Sequence, residues 1–331
     1  MPSVLITPEG LLDRPGKYQH ILTDGGLDHS RPKNRQLARG LLSQEETIDE
    51  MRGFAGVIAG GEIFSPAVLN ALPDLRVIAR CGVGFDRVDI PAATERGIAV
   101  TITPTANHEA VAEQAITLLF AVAKSLVKYD QKMRQGGWRE GLLKPVRGSV
   151  LGVFGLGRIG RSMARKSLGL GMRVIAHDAY PDTAFAEEHS VELVDFDTLL
   201  AQSDYVSIHA PLNEHTEGLF NREVFAKMKA GSVLLNTARG PLVKEADLVE
   251  ALQSGHLSGA GLDVFEQEPT PAKHPLFELD NVALSPHVAG LDERAQDDMA
   301  NEAADCIVKL SRGEWPEGAV VNNELKGSWK W

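Results

Sequence analysis

The sequence predicts an α/β protein made of two doubly wound lobes, one of them assembled from both ends of the chain. Three observations carry this. Nine short β-branched runs, apolar on both faces, alternate with helical patterns, as strands buried in parallel sheets do. Two long helical stretches, near residues 107–134 and 292–311, interrupt the alternation. Between them lies a stretch of strands with its own glycine-rich turn.

The candidate strands, in order, are Val4–Thr7, Gly56–Ala59, Leu75–Arg80, Val150–Phe154, Arg173–His177, Tyr205–His209, Ser232–Asn236, Gly259–Asp263 and Val282–Leu284. Their alternation with helices implies βαβ units. The first long helix opens at Asn107, a good N-cap, and carries Val111, Ala115, Leu118, Leu119, Val122 and Leu126 at helical spacing on its way to Arg134. The second runs from Asp292 to Ser311 and stops before Gly313. The tail beyond Ser311 is too small to fold alone. Residues 1–100 and 291–331 therefore form one discontinuous domain and 101–290 the other, with the two helices as a hinge. A split at the middle of the chain is the simpler alternative, but it leaves Pro316–Trp331 little to pack against.

The chain has 331 residues, 43% hydrophobic and 24% charged. That composition belongs to a folded protein, and at about 150 residues per domain it suggests two domains. Thirty-four Lys and Arg against 45 Asp and Glu leave a net charge of −11, a poor match for polyphosphate, so no nucleic acid partner is expected. No apolar run approaches the ~20 residues that span a bilayer, and Met1–Gly10 lacks the pattern of a secretory signal. Cys81 and Cys306 are the only cysteines. With no CxxC or Cys/His cluster, neither a disulfide framework nor a metal site is expected. These points describe a cytoplasmic, reduced protein with no membrane partner.

The strongest local signal is the run Val150–Gly160, which sets G-x-G-x-x-G after a strand and at the start of a helical pattern. Gly155 allows the tight turn, Gly157 lets backbone approach a pyrophosphate, and Gly160 lets helix and strand pack closely. Free N–H groups at the helix start then face the phosphates. The next strand ends at Asp178, 18 residues past Gly160, where an acid accepts hydrogen bonds from a ribose and repels a 2′-phosphate. No Arg or Lys follows in Ala179-Tyr180-Pro181. The cofactor expected is NAD rather than NADP. A second glycine turn, Cys81–Asp86, lacks the third glycine and the acid, and suits a smaller anion such as a carboxylate. Cys81 itself reads as a small buried residue.

Three further motifs follow strands in the second half: Asn236–Gly240, Asp263–Pro269 and Ser285-Pro286-His287. Ligands in open parallel sheets bind beyond the carboxyl ends of strands. Hydride transfer at a carbonyl needs a proton donor beside the oxygen, and His287 suits that role. A neighbouring carboxylate raises a histidine's pKa and fixes its ring, and Arg239 has the fork that grips a carboxylate. Each has an ordinary reading as a cap, a solvated acid or a loop histidine. His209 competes with His287, although lining the adenine side is its simpler role, and Glu266 competes with Glu268.

Together these segments resemble the D-isomer-specific 2-hydroxyacid dehydrogenase family, which includes phosphoglycerate dehydrogenase and hydroxypyruvate or glyoxylate reductases. The resemblance runs through Cys81–Asp86, Asn107–Glu113, Gly155–Gly160, His209-Ala210-Pro211, Thr237–Gly240, Asp263–Pro269 and Ser285–His287. It implies a Rossmann NAD-binding domain inserted in a discontinuous flavodoxin-like substrate domain, closing over the substrate. It implies His287 as acid/base, Glu268 as its partner, and Arg239 on the substrate carboxylate and carbonyl. Asp263, Thr237 and Ala238 would lie along the nicotinamide, and Arg158 and Ile159 would offer N–H groups to the pyrophosphate. Val83 and Gly84 would hold the substrate carboxylate from the other lobe. Family members are commonly dimers through the cofactor lobe, and the helix Asn107–Arg134 offers a surface for a homodimer.

The reaction so implied interconverts a D-(R)-2-hydroxy acid and its 2-keto acid. Two alternatives are a dedicated 3-phosphoglycerate dehydrogenase and a non-catalytic NAD-sensing protein of the same fold. Phosphoglycerate-specific relatives tend to carry Arg in the loop after the second strand. Here that loop is Gly60-Gly61-Glu62, so a phosphate is expected to meet an acid there. Arg80 beside the Gly82 turn, and Arg134 and Arg139 near Trp138, keep a phosphate site open. The sequence continues only briefly past the second long helix, so no appended regulatory domain is expected. Formate dehydrogenases place Gln where Glu268 stands.

Overall fold

The computed structural model describes every residue from Met1 to Trp331. In chain order the first elements are β1 (Ser3–Ile6), α1 (Lys17–Asp24), β2 (Asp28–Ser30), α2 (Gln44–Met51), β3 (Gly56–Ala59), α3 (Pro66–Asn70), β4 (Val77–Arg80), α4 (Ile90–Glu95), β5 (Ala99–Thr101), α5 (His108–Ala123) and α6 (Leu126–Arg134). Then follow β6 (Val150–Phe154), α7 (Arg158–Gly169), β7 (Arg173–His177), α8 (Thr183–Glu188), β8 (Glu192–Leu193), α9 (Phe196–Gln202), β9 (Tyr205–Ile208) and α10 (Arg222–Lys227). The last are β10 (Ser232–Asn236), α11 (Glu245–Gln253), β11 (Leu257–Leu262), β12 (Val282–Leu284) and α12 (Glu293–Ser311). Both sheets are parallel throughout. The chain is a mixed α/β protein.

Two compact units divide it, Met1–Asn107 with Gly290–Trp331, and His108–Ala289. The first crossing thus falls after Asn107, later than the expected residue 101. Strand β5 and the turn after it stay with the first unit because β5 pairs with β4.

In the first unit the strand order is β2-β1-β3-β4-β5, the doubly wound order with a reversal between β1 and β3. Successive side chains of each strand point to opposite faces. Val4 and Ile6 therefore pack with Ala300, Ala304 and Ile307 of α12, while Leu5 packs with Met51 and Leu69 on the other side. Asp292 caps α12 by accepting the Ala295 N–H at 2.7 Å. The tail is tied to the outer edge of β5. The Val321 N–H donates to Val100 O and the Ile102 N–H to Ala319 O. Fully buried Asn322 accepts from Val100 N and donates to Ile98 O.

The second unit has seven strands in the order β12-β11-β10-β9-β6-β7-β8. Its reversal point lies between β6 and β9, where a crevice opens at the carboxyl edge. Val153 and Val174 pack with Ala112 and Leu119 of α5 and Met163 of α7 on one face, and Val206, Ile208 and Leu234 with Leu199 and Phe225 on the other.

The single helix expected from Asn107 to Arg134 is two helices. α5 and α6 meet at 58°, with Ser125 in the left-handed region at φ 48°. Neither Pro nor Gly marks the break. α5 buries seven of its 16 residues, all of them Ala, Val or Leu, whereas α6 buries none. The break lets each helix follow its own surface. No single helix is long and apolar enough to cross a membrane.

Candidate active site

The glycine-rich turn is built by close approaches. Gly155 sits at φ 96°. A Cβ there would lie 2.6 Å from the Ala210 nitrogen and 2.7 Å from the His209 carbonyl carbon, so only glycine lets the turns after β6 and β9 meet. A Cβ on Gly160 would lie 2.0 Å from Gly155 O. Gly157 is different. It is the N-cap of the 12-residue α7, and a Cβ there would meet nothing within 4 Å. The start of the helix thus presents N–H groups to open space, the arrangement that receives a phosphate. Asp178, directly after β7, accepts from Leu156 N at 2.6 Å and Tyr180 N at 2.7 Å. Its carboxylate is therefore held against the turn. This donor and acceptor set fits a dinucleotide, with Arg158, Ile159 and Gly160 forming the first turn of the helix at the glycine turn.

His209 bonds through Nε2 to the Ser207 hydroxyl at 2.8 Å, and its Nδ1 is buried without a partner. Burial pushes its pKa down to about 4. Burial thus favours the neutral ring of His209 over its imidazolium. It stands beside Gly155, with Ala210 and Pro211 following.

The second cluster comes from three neighbouring strands. Asn236 pairs with Leu262, and Leu262 with Leu284. The carboxyl ends of β10, β11 and β12 are therefore level. Thr237, Asp263 and Ser285 emerge side by side although they are far apart in sequence.

Asp263 is fully buried. It accepts from Ser285 Oγ at 2.5 Å, Val288 N at 3.0 Å and Ala289 N at 2.9 Å. Burial pushes its pKa up, and these three donors oppose the rise. Gln114 of α5 donates to Ser285 Oγ at 2.9 Å. The carbonyl of Asp263 also accepts the His287 N–H at 2.7 Å. The loop 285–289 is thereby pinned at both backbone and side chain. This explains how His287 is held at φ 54°, a conformation unusual for a residue with a Cβ.

The ring of His287 is fixed by Glu268, whose Oε2 lies 2.7 Å from Nδ1. Glu268 Oε1 accepts from Phe265 N at 3.0 Å. The histidine side chain is 48% exposed and the glutamate 20%. Glu266 is engaged elsewhere. It accepts from Glu245 N at 3.2 Å, and its own N–H donates to Glu245 Oε1 at 2.7 Å. The competition between the two acids is settled in favour of Glu268.

Arg239 follows β10. Asn236 shapes its turn by accepting from Ala238 N at 3.0 Å and donating to Arg239 O at 2.8 Å. Arg239 Nη1 donates to Ala238 O at 2.6 Å. A Cβ on Gly240 would fall 1.9 Å from the Phe265 carbonyl, so this turn lies directly on the segment that positions Glu268. Thr237 is buried, with its hydroxyl unpartnered. Residues that sequence reasoning missed as site builders are Gln114 and Ser285. Ser285 stands two places before His287 in a motif already singled out, whereas nothing in the sequence marks Gln114.

In the first unit, Gly82 sits at φ 137° and donates to Thr103 Oγ1 at 2.8 Å. Burial pushes the Cys81 thiol up to about 12, so it is no nucleophile. Glu62, in the loop after β3, is completely buried with its carboxyl 4.0 Å from Arg80 Nη1. Arg80 turns its guanidinium onto the Gly60 and Gly84 carbonyls, with 11% of its side chain exposed.

Residues 116–289 match the family model described as D-isomer specific 2-hydroxyacid dehydrogenase, NAD binding domain. A glyoxylate reductase of Korarchaeum cryptofilum is 41% identical over 78% of this chain and 79% of its own length. A D-3-phosphoglycerate dehydrogenase of Archaeoglobus fulgidus is 37% identical over 88% of this chain but only 56% of its own. The chain thus spans little more than half of that longer relative. The D-lactate dehydrogenase of Escherichia coli has a similar structure, with a TM-score of 0.82, 30% identity, and coverage of 97% of this chain and 100% of that one.

Proposed function

This chain belongs to the D-isomer specific 2-hydroxyacid dehydrogenase family, and we propose that its reaction is carried by His287, Glu268 and Arg239 with NAD as the preferred cofactor. The protein is an oxidoreductase that interconverts a D-2-hydroxy acid and a 2-keto acid. When bound, the dinucleotide supplies or accepts the hydride. Glu268 occupies Nδ1 of His287, so Nε2 is the atom that gives a proton to the carbonyl oxygen in reduction and takes it back in oxidation. Hydride at carbon and proton at oxygen together account for the conversion of C=O to CH–OH. Arg239 pairs with the substrate carboxylate and stabilises the oxygen as negative charge develops. The Val83 and Gly84 N–H groups receive the carboxylate. We assign Asp263 to the nicotinamide side of the site, where it also anchors the His287 loop through Val288 N and Ala289 N.

Asp178 supports NAD over NADP, since a carboxylate held against the glycine turn repels a 2′-phosphate. A homodimer is supported by apolar side chains left exposed on and after α6, namely Leu126, Val127, Met133, Trp138 and Leu142. Two free thiols are in keeping with a cytoplasmic location.

The observation that carries this reading is the 2.7 Å contact between His287 and Glu268 at the level ends of β11 and β12. The test is NADH oxidation at 340 nm with a panel of 2-keto acids. Binding of NADH without turnover across the panel would overturn the assignment and favour a sensor.

A further inference from the structure

Relatives of this chain act on substrates with and without a phosphate, so resemblance leaves the choice open. The first unit carries an observation that bears on it. Arg80 is the cation nearest the Gly82–Gly84 turn in sequence, and its guanidinium is already directed inward. Nε donates to Gly84 O at 3.2 Å, and Nη1 donates to Gly60 O. Beneath it lies Glu62, fully buried, with Oε2 4.0 Å from Nη1. Thr7 braces the same corner, donating to Ile58 O and accepting from Gly60 N, each at 3.1 Å. A second arginine, Arg87, donates to Gly61 O at 2.5 Å. Both glycines before Glu62 are crowded. A Cβ on Gly61 would lie 2.6 Å from Ala38 O, and one on Gly60 would lie 3.2 Å from Pro8 Cα.

We propose that Glu62 is a positioning and specificity residue. Its buried carboxyl, 4.0 Å from Arg80 and not hydrogen-bonded to it, acts through charge to keep the guanidinium on the Gly60 and Gly84 carbonyls. That sets the Val83–Gly84 amides for one carboxylate and withholds the guanidinium from any second anionic group. The enzyme accordingly favours 2-keto acids whose third carbon is absent or uncharged over those that carry a phosphate. A buried acid without a counter-ion is costly, so Glu62 and Arg80 keep each other in place. Freed of its partner, a guanidinium is a good phosphate receptor. This inference rests on the proposed assignment of Val83 and Gly84 to the substrate carboxylate.

The experiment compares glyoxylate, hydroxypyruvate and 3-phosphohydroxypyruvate as substrates for the full-length protein, Glu62→Gln and Glu62→Asp, with NADH. For the unaltered protein, kcat/KM for hydroxypyruvate exceeds that for the phosphorylated compound by at least tenfold. Glu62→Gln raises the hydroxypyruvate KM about tenfold, leaves kcat within about twofold, and moves the preference about tenfold toward the phosphorylated substrate. Glu62→Asp recovers part of both changes. A preference for the phosphorylated substrate in the unaltered protein overturns the inference. So does a Glu62→Gln variant whose losses are equal for all substrates.

Should Glu62→Gln fail to fold, Arg80→Met decides. Here the expected result is a raised hydroxypyruvate KM and no selective loss of the phosphorylated substrate. A selective loss would show Arg80 gripping phosphate and overturn the inference. If no 2-keto acid is turned over at all, the functional reading falls with it, whereas normal turnover with an unmoved preference sinks this inference alone.

Discussion

Replacing His209 with Gln tests how the crevice between β6 and β9 sets a protonation state. The folded chain holds this imidazole at a pKa of about 4 through burial, and an unfolded chain titrates near 6.5. The unfolded state therefore takes up the proton first as pH falls. Stability is lost with acidification between about pH 6.5 and 4, and is fully present above that window. Each pH unit inside it costs about 1.4 kcal/mol, so the wild type gives up about 2 kcal/mol between pH 7.5 and 5 on this account alone. The amide of Gln can still meet the Ser207 hydroxyl but carries no titrating proton. Urea unfolding of both proteins at pH 7.5, 6.0 and 5.0, followed by circular dichroism, isolates the effect, because every other titrating group is common to the pair. Wild type starts at or above the variant at pH 7.5 and converges on it or falls below it by pH 5. Parallel pH dependences would refute the reasoning.

Other outcomes follow from the same geometry. His287→Ala loses 10²–10⁴-fold in turnover and keeps NADH affinity, read by NADH fluorescence titration alongside steady-state rates. Gly157→Val weakens NADH binding at least tenfold with little change in Tm, since its side chain enters open space, whereas Gly160→Ala lowers Tm because its Cβ would collide with Gly155 O. Asp178→Ala raises kcat/KM with NADPH relative to NADH by about tenfold, and an unmoved ratio would remove Asp178 from cofactor choice.

The strands that position the site were readable because they are short, β-branched and apolar on both faces. β6, β7 and β10 match their predicted spans. Strands without that signature were not readable. β2 is Asp-His-Ser, and β8 has two residues. The motifs Gly155–Gly160, Arg239 and Ser285–His287 were legible because each follows a strand directly. Orientation was not. Whether Glu62 faces a ligand or the interior depends on packing by Pro8 and Ala38, far from it in sequence. The choice between Glu266 and Glu268 depends on the start of α11, which occupies Glu266. The bend at Ser125 is set by two helices packing differently, a tertiary cause that local propensity does not record.

The seam that Asn322 makes with β5 has a consequence for biosynthesis. A ribosome delivers β1–β5 first, yet the outer edge of β5 stays uncapped until Asn322 emerges, 222 residues after Val100. The second unit, residues 108–289, leaves the exit tunnel in between. An open strand edge is a template for pairing with other chains, so the N-terminal sheet depends for its cover on a clasp synthesised only after another whole unit.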